Sequence, residues 1–419
     1  MRKQIQQLID FPKALLPLAM FVFLAFLSNT NVNASHVVGG DVEYECVGPR
    51  AWKIRLTLYR DCTGIPLCSS PSCSQPMVAR PNTTLNPPGC AATPNQVNFS
   101  VNYVKVQDVG QSNLAICGNS AKNGCTNMNT VAPGSYSPSI ELFVFEGTLN
   151  LNLPTLNAPN TCPYWDIYWE TCCRNAGIMN LVGSSGLGFR IGATINIFWQ
   201  SGTPCVNNSP VIKNEAVAVV CSGQEYIFNM GAVDPDKDSL TYEIGPSLNS
   251  GGSVVPYQSP FSATYPFPLN STSVPHINFP QPNGPYMIID SINGDISFNP
   301  VNNTPNFIFG NVNIIIKQWN YNSSGVPIIV GITQRDLQIY VVSCPNNNPP
   351  RLATNPSLAF GRPKVNHTVC AGENLCFTVT AKDTDVYPNI PRFDTTYLSW
   401  NQAIVRPGKL TFGPTYPVG

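Results

Sequence analysis

The sequence predicts an all-β protein: a disulfide-stapled β-domain followed by tandem β-sandwiches. Three observations predict it. Apolar residues alternate with the period of a strand and never hold a helical period for three turns. Cysteines cluster behind an export signal. A block of the second half recurs farther on.

The alternation is clearest in Trp52-Lys53-Ile54-Arg55-Leu56-Thr57-Leu58-Tyr59, which puts Trp52, Ile54, Leu56 and Leu58 on one face. Glu141–Glu146 reads as a short buried strand bounded by charge, and the Trp165/Ile167/Trp169 series and Ala193–Trp199 read as alternating strands. Between them, Thr63–Cys90 and Leu114–Ser137 read as long loops held by disulfides. The second half offers Tyr226–Met230, Leu240–Ile244, Tyr286–Ile289, Asp295–Phe298, Val312–Trp319 and Ile328–Val342. Asn293-Gly294 sits between two of these and tolerates the positive φ of a hairpin turn. This density of short strands is that of a β-sandwich.

Composition narrows the function classes. The 419 residues hold 23 basic and 23 acidic side chains, and charged residues make up 11%, less than half the typical share of about 25%. Zero formal net charge with no long basic run argues against nucleic acid, which requires a phosphate-neutralising patch. The 40 prolines and abundant Asn, Ser and Gly favour turns and extended chain.

Arg2, Lys3 and Lys13, the apolar run Ala14–Leu27 and the small-residue site Val32-Asn33-Ala34 have the three-part layout of a secretory signal peptide, residues 1–34. The run is broken by Pro17 and is too short for a bilayer core of about 30 Å. No later segment is long and apolar enough to span, so the mature chain is expected to carry no transmembrane segment and to be secreted or held at the cell surface. Twelve of the 15 cysteines lie between Cys46 and Cys221, where an exported chain forms disulfides. Zinc is the competing reading for Cys62, Cys68 and Cys73, but their spacing is loose and no histidine lies nearby. Cys172 and Cys173 are expected to bridge to different loops, and Cys221 to Cys344.

The repeat relates Cys221, Gly223, Phe228, Ala232, Asp234 and Asp236 to Cys370, Gly372, Phe377, Ala381, Asp383 and Asp385 at one constant offset without a gap. A boundary motif recurs as well, Cys205-Val206-Asn207-Asn208-Ser209-Pro210 against Cys344-Pro345-Asn346-Asn347-Asn348-Pro349. The organisation predicted is a signal peptide (1–34), a cysteine-rich β-domain (35–204), an immunoglobulin/PKD/cadherin-like sandwich (205–343) and a truncated second repeat (344–419). The last reads as a fragment of a longer chain.

Ser35-His36-Val37-Val38-Gly39-Gly40-Asp41-Val42-Glu43-Tyr44-Glu45-Cys46, followed by Ile54–Cys62, resembles the opening of large gliding-motility-associated surface proteins of the Bacteroidetes with PKD-like repeats. Cys172-Cys173-Arg174-Asn175, Asn208-Ser209-Pro210, Asp234–Tyr242 and Arg335-Asp336-Leu337-Gln338 extend the resemblance over most of the mature chain. It implies export, usually through a type IX system, and adhesive or matrix roles.

The best candidate site is Asp234-Pro235-Asp236-Lys237-Asp238, with Asp383 and Asp385 repeating its first two carboxylates. Carboxylates at alternate positions of a loop can turn their oxygens to calcium, which takes six to eight of them. Glu243, Asp290 and Asp295 are possible additional ligands. The alternative is a polar turn whose Asp side chains accept backbone hydrogen bonds. No catalytic motif surrounds His36, His276 or His367, so no enzyme is expected. Trp319-Asn320-Tyr321 is the one aromatic cluster suited to stacking on a glycan. The function expected is a cell-surface structural or adhesive protein with a polysaccharide or protein ligand. The alternative is the amino-terminal part of a secreted carbohydrate-active enzyme.

Overall fold

The computed structural model describes residues 37–62, 67, 72–108, 140–157, 160–198, 207–214, 217–270, 286–304 and 307–343, and two short strands at 351–353 and 380–382. The chain is all-β. Among the described residues, helix is confined to 3-10 turns of three or four residues. None of these is long and apolar enough to cross a membrane.

The first block supplies β1 (Val37–Gly48), β2 (Ala51–Asp61), β3 (Ser74–Pro81), β4 (Val97–Asp108), β5 (Ile140–Asn150), β6 (Tyr164–Cys172) and β7 (Gly188–Asn196). They pair antiparallel in the order β1-β2-β5-β4-β3-β6-β7. The predicted alternation sets the inner face: Trp52, Ile54, Leu56, Trp165, Ile167 and Phe189 are all fully buried in one core. The bond Cys90–Cys162 ties the loop after β3 to the segment before β6, and Ala91 bridges Thr161 beside it.

The second block supplies β8 (Val217–Cys221), β9 (Tyr226–Asn229), β10 (Ser239–Gly245), β11 (Ile288–Ile289), β12 (Asp295–Phe298), β13 (Ile308–Tyr321) and β14 (Pro327–Val342). Gly294, at φ +78°, makes the expected turn between β11 and β12. The small sheet β11-β12-β9 lies over the β10-β13-β14 part of the large sheet, and Ile296, Phe298, Val312, Ile314, Leu337 and Ile339 fill the core.

The large sheet runs without a break across the 204/205 boundary. One edge of β14 is taken by β13. The other bonds in succession to β7 through 331–333, to β1 through 335–337 and, in parallel, to β8 through 338–342. Both β1 and β7 run antiparallel to β14, so they are parallel to each other at the seam of the first block. β14 straddles that seam and closes it. Its residues from Arg335 to Val341 are buried, as expected for a strand covered on both faces. Val38, Tyr59 and Ile140 of the first block accordingly join the second core.

Val211 bridges Val233 immediately before Asp234. In the second copy, β15 (Arg351–Ala353) pairs with β16 (Thr380–Lys382) immediately before Asp383. The rest of that copy, with Cys344 and Cys370, lies outside the described residues. Cys46, Cys62, Cys73 and Cys221 are disulfide-bonded. One expectation is corrected: Cys172 and Cys173 bond to each other, not to separate loops. They end β6 side by side, where the chain turns to carry Arg174 into the interior.

Candidate metal site

The loop Asp234–Asp238 leaves the Val211–Val233 bridge and is shaped by its first residue. Asp234 Oδ1 accepts hydrogen bonds from the backbone N–H of Asp236 (2.9 Å) and of Asp238 (3.0 Å). Lys237 lies in the left-handed region at φ +73°. This is the Asx turn of the alternative reading, and it is what brings the three carboxylates together. One oxygen from each of Asp234, Asp236 and Asp238 lies within 4.8 Å of the others.

All but one of the remaining oxygens are held from outside the loop. Asp234 Oδ2 accepts from Gln318 Nε2 at 2.6 Å. Asp236 accepts from the backbone N–H of Asn208 at 2.6 Å and from its Nδ2 at 2.8 Å. Asp238 Oδ1 accepts from Asn320 Nδ2 at 2.5 Å, while Asp238 Oδ2 is buried with no partner. Every donor is a neutral amide, and no Lys or Arg among the described residues forms an ion pair with the three aspartates. Burial, then repulsion from Asp234 and Asp236, pushes the Asp238 carboxyl up to about 6 against the Asn320 bond. Burial likewise raises Asp234. Three acids, an unfilled buried oxygen and no counter-charge fit a hard cation with oxygen ligands. Oxygens that already accept one hydrogen bond keep a second lone pair for it.

The other sequence candidates stand elsewhere. Glu243 pairs with Lys317 at 2.8 Å, Asp290 accepts from the N–H groups of Ile292 and Asn293, and Asp295 accepts from Asn229. None joins the group. Asp383, Asp385, His36, His276 and His367 lie outside the described residues. In the Trp319-Asn320-Tyr321 cluster, Trp319 is half-buried and donates to Thr241 Oγ1, Asn320 serves Asp238, and Tyr321 alone is well exposed.

Gln318 is the residue that sequence reasoning missed. Its Nε2 donates to Asp234 and to the carbonyl of Asn208 (2.7 Å), while its Oε1 accepts from Tyr44 Oη (3.0 Å) and Asn207 Nδ2 (3.3 Å). One buried amide thereby joins the acidic loop, the linker and the first core. Gly331 lies opposite it in the ladder, and a Cβ there would collide with Gln318 Oε1 and Tyr44 Oη. The signal was present: Val312, Ile314 and Ile316 face the core, and Gln318 and Asn320 continue the same face with amides. The linker itself is sewn to β1 by Ser209 N–H to Tyr44 O, Tyr44 N–H to Ser209 Oγ, and Cys46 N–H to Asn208 Oδ1.

A second polar cluster lies deeper, at the β14 seam. All five donors of the fully buried Arg174 are used: two on Asp336 (2.9 and 3.3 Å), one on Asn311 Oδ1, and one each on the carbonyls of Gly188 and Leu248. Asn175 reaches Gln338 beside it. The segments carrying the family resemblance therefore meet in pairs: 172–175 with 335–338, and 208–210 with 234–238. No model of a known protein family matches the chain, and no curated protein is similar to it.

Proposed function

We propose that the chain is an exported structural or adhesive protein of the cell surface, built as a stiff array of β-blocks, whose acidic loop takes calcium. The observation that carries the reading is the joint. Through Gln318 and Asn208, the loop Asp234–Asp238 is bonded to the linker and to Tyr44 of the first core. A cation at the three carboxylates would neutralise the one part of the joint that lacks counter-charge. The β15–β16 pairing ahead of Asp383 supports a second block begun on the same plan. A strand shared between blocks suits a spacer, and disulfides suit an oxidising exterior.

The test is thermal unfolding of residues 35–419, unreduced, in chelator and then in excess calcium. A ligand that binds only the native state stabilises by about 2.7 kcal/mol at one hundred times its Kd. The melting temperature should rise with calcium, and Asp234→Ala and Asp236→Ala should abolish the rise. An unchanged melting temperature would reduce the loop to its Asx turn.

A further inference from the structure

We propose a second binding site on the outer face of the first block, where Arg80 and Arg190 converge beside Tyr168 to take the acidic group of a polysaccharide. Residues 165, 167 and 169 of β6 point into the core, so Asp166, Tyr168 and Glu170 point to the opposite face, where Tyr168 is buried beneath the two arginines. Across the ladder, Arg80 of β3 pairs with Asp166, and Arg190 of β7 pairs with Glu170. Both guanidinium groups turn toward Tyr168: Arg190 lies 3.6 Å from the ring centroid and Arg80 5.2 Å. They also approach one point of the loop above, since a Cβ on Gly252 would lie 2.7 Å from Arg190 Nη1 and 3.5 Å from Arg80 Nη2.

These two arginines are unlike Arg174. Neither side chain donates a hydrogen bond to any described residue. Arg80 Nε and Arg190 Nη1 are buried without a partner, and Arg190 is only 7% exposed. The adjacent carboxylates are already engaged: Asp166 Oδ1 accepts from Asn82 and Thr194, and Glu170 Oε2 accepts from Gly251 N–H while standing 3.8 Å from Arg190. Burial and then the neighbouring Arg80 hold the Arg190 pKa below its ordinary value. Unfilled buried guanidinium donors are costly, and a bidentate oxyanion is the ligand whose geometry fills them.

The class of anion follows from the surroundings. Asp166 and Glu170 lower the local positive field, which favours a single charge, a carboxylate or sulfate ester, over a phosphate dianion. The overlying segment Asn249-Ser250-Gly251-Gly252-Ser253 is short, polar and largely exposed, and offers hydroxyl and amide groups to sugar hydroxyls. The site adds a ligand to the surface reading. It owes nothing to the acidic loop, so its test is run in chelator and its failure is separable from that of calcium binding.

The experiment is affinity electrophoresis of residues 35–419 through gels containing oligogalacturonate, dextran sulfate or neutral dextran. Retardation by an acidic polymer but not by dextran is expected. Arg80→Ala should weaken it at least tenfold with little change in melting temperature, because Arg80 is half-buried and its side chain makes no hydrogen bond to a described residue. Arg80→Lys should restore only part of it, and Arg55→Ala should leave it unchanged. Stronger retardation by oligogalacturonate assigns the carboxylate, and by dextran sulfate the sulfate ester. Equal migration in all three polymers, or retardation that survives Arg80→Ala, overturns the proposal.

Discussion

The Arg174–Asp336 cluster and the Asp234–Asp238 loop both join the first block to the second, yet only one of them balances its charge. Arg174 is completely buried, places all five donors and meets a carboxylate in two bonds. The loop gathers three carboxylates, answers them with amides alone and leaves Asp238 Oδ2 empty. A buried ion pair with every donor placed is self-sufficient, and removing one partner is costly. A cluster of like charges held by neutral donors leaves its charge unanswered. The first arrangement suits a permanent seam, and the second suits the proposed cation.

The largest effect expected from breaking this contrast is at the seam. Asp336→Ala leaves the Arg174 guanidinium buried without its counter-charge and should cost about 3–5 kcal/mol, read from the urea midpoint of the full chain. Asp236→Ala, at an exposed carboxylate of the loop, should cost far less in chelator. Next is the hub between the regions. Gly331→Ala forces a methyl against Gln318 and Tyr44 and should cost about 1–3 kcal/mol. If Gln318 links loop to core, the same substitution weakens calcium binding.

An effect of similar size is expected in the pH dependence. Glu43 takes the Ile212 N–H and faces Asp41, Arg55 and Arg335; burial, then Asp41, pushes its carboxyl up to about 7. Asp41 is also raised, chiefly by burial, against the attraction of Arg335. An acid whose folded pKa lies above its unfolded value binds protons more tightly when folded. Its contribution to stability is therefore lost as pH rises from the unfolded value through the folded one. In chelator Glu43 alone should make the chain more stable at pH 5 than at pH 8 by about 2–3 kcal/mol, and Glu43→Gln should remove that part of the slope. The smallest effect belongs to the surface. Arg55→Ala removes a half-exposed partner of Glu146 and should change stability by less than about 0.5 kcal/mol.

How much of this was legible in the sequence differs between strand and seam. Alternation placed β2 and β6, because each has one face on a core. β3 lies inside Thr63–Cys90, which reads as loop; Pro76 and Pro81 break its strand signal, and Pro76 falls in the half of β3 that pairs with β4 and not with β6. The closure by β14 was not legible at all. Pairing Asp41 with Arg335 joins residues that no local period relates. The acidic loop was visible because its three carboxylates share one short segment. Its amide partners Asn208, Gln318 and Asn320 were not, since they arrive from a linker and a distant strand.

The most direct measurement of the contrast is the melting temperature of Asp238→Asn beside the native chain, each in chelator and in excess calcium. Asn keeps the oxygen that Asn320 bonds and replaces the empty, charged Oδ2 with an amide facing Asp234 and Asp236. In chelator the variant should melt higher than the native chain, and calcium should leave it unmoved while raising the native chain. A variant that melts lower in chelator, or that still responds to calcium, would contradict a loop held short of positive charge.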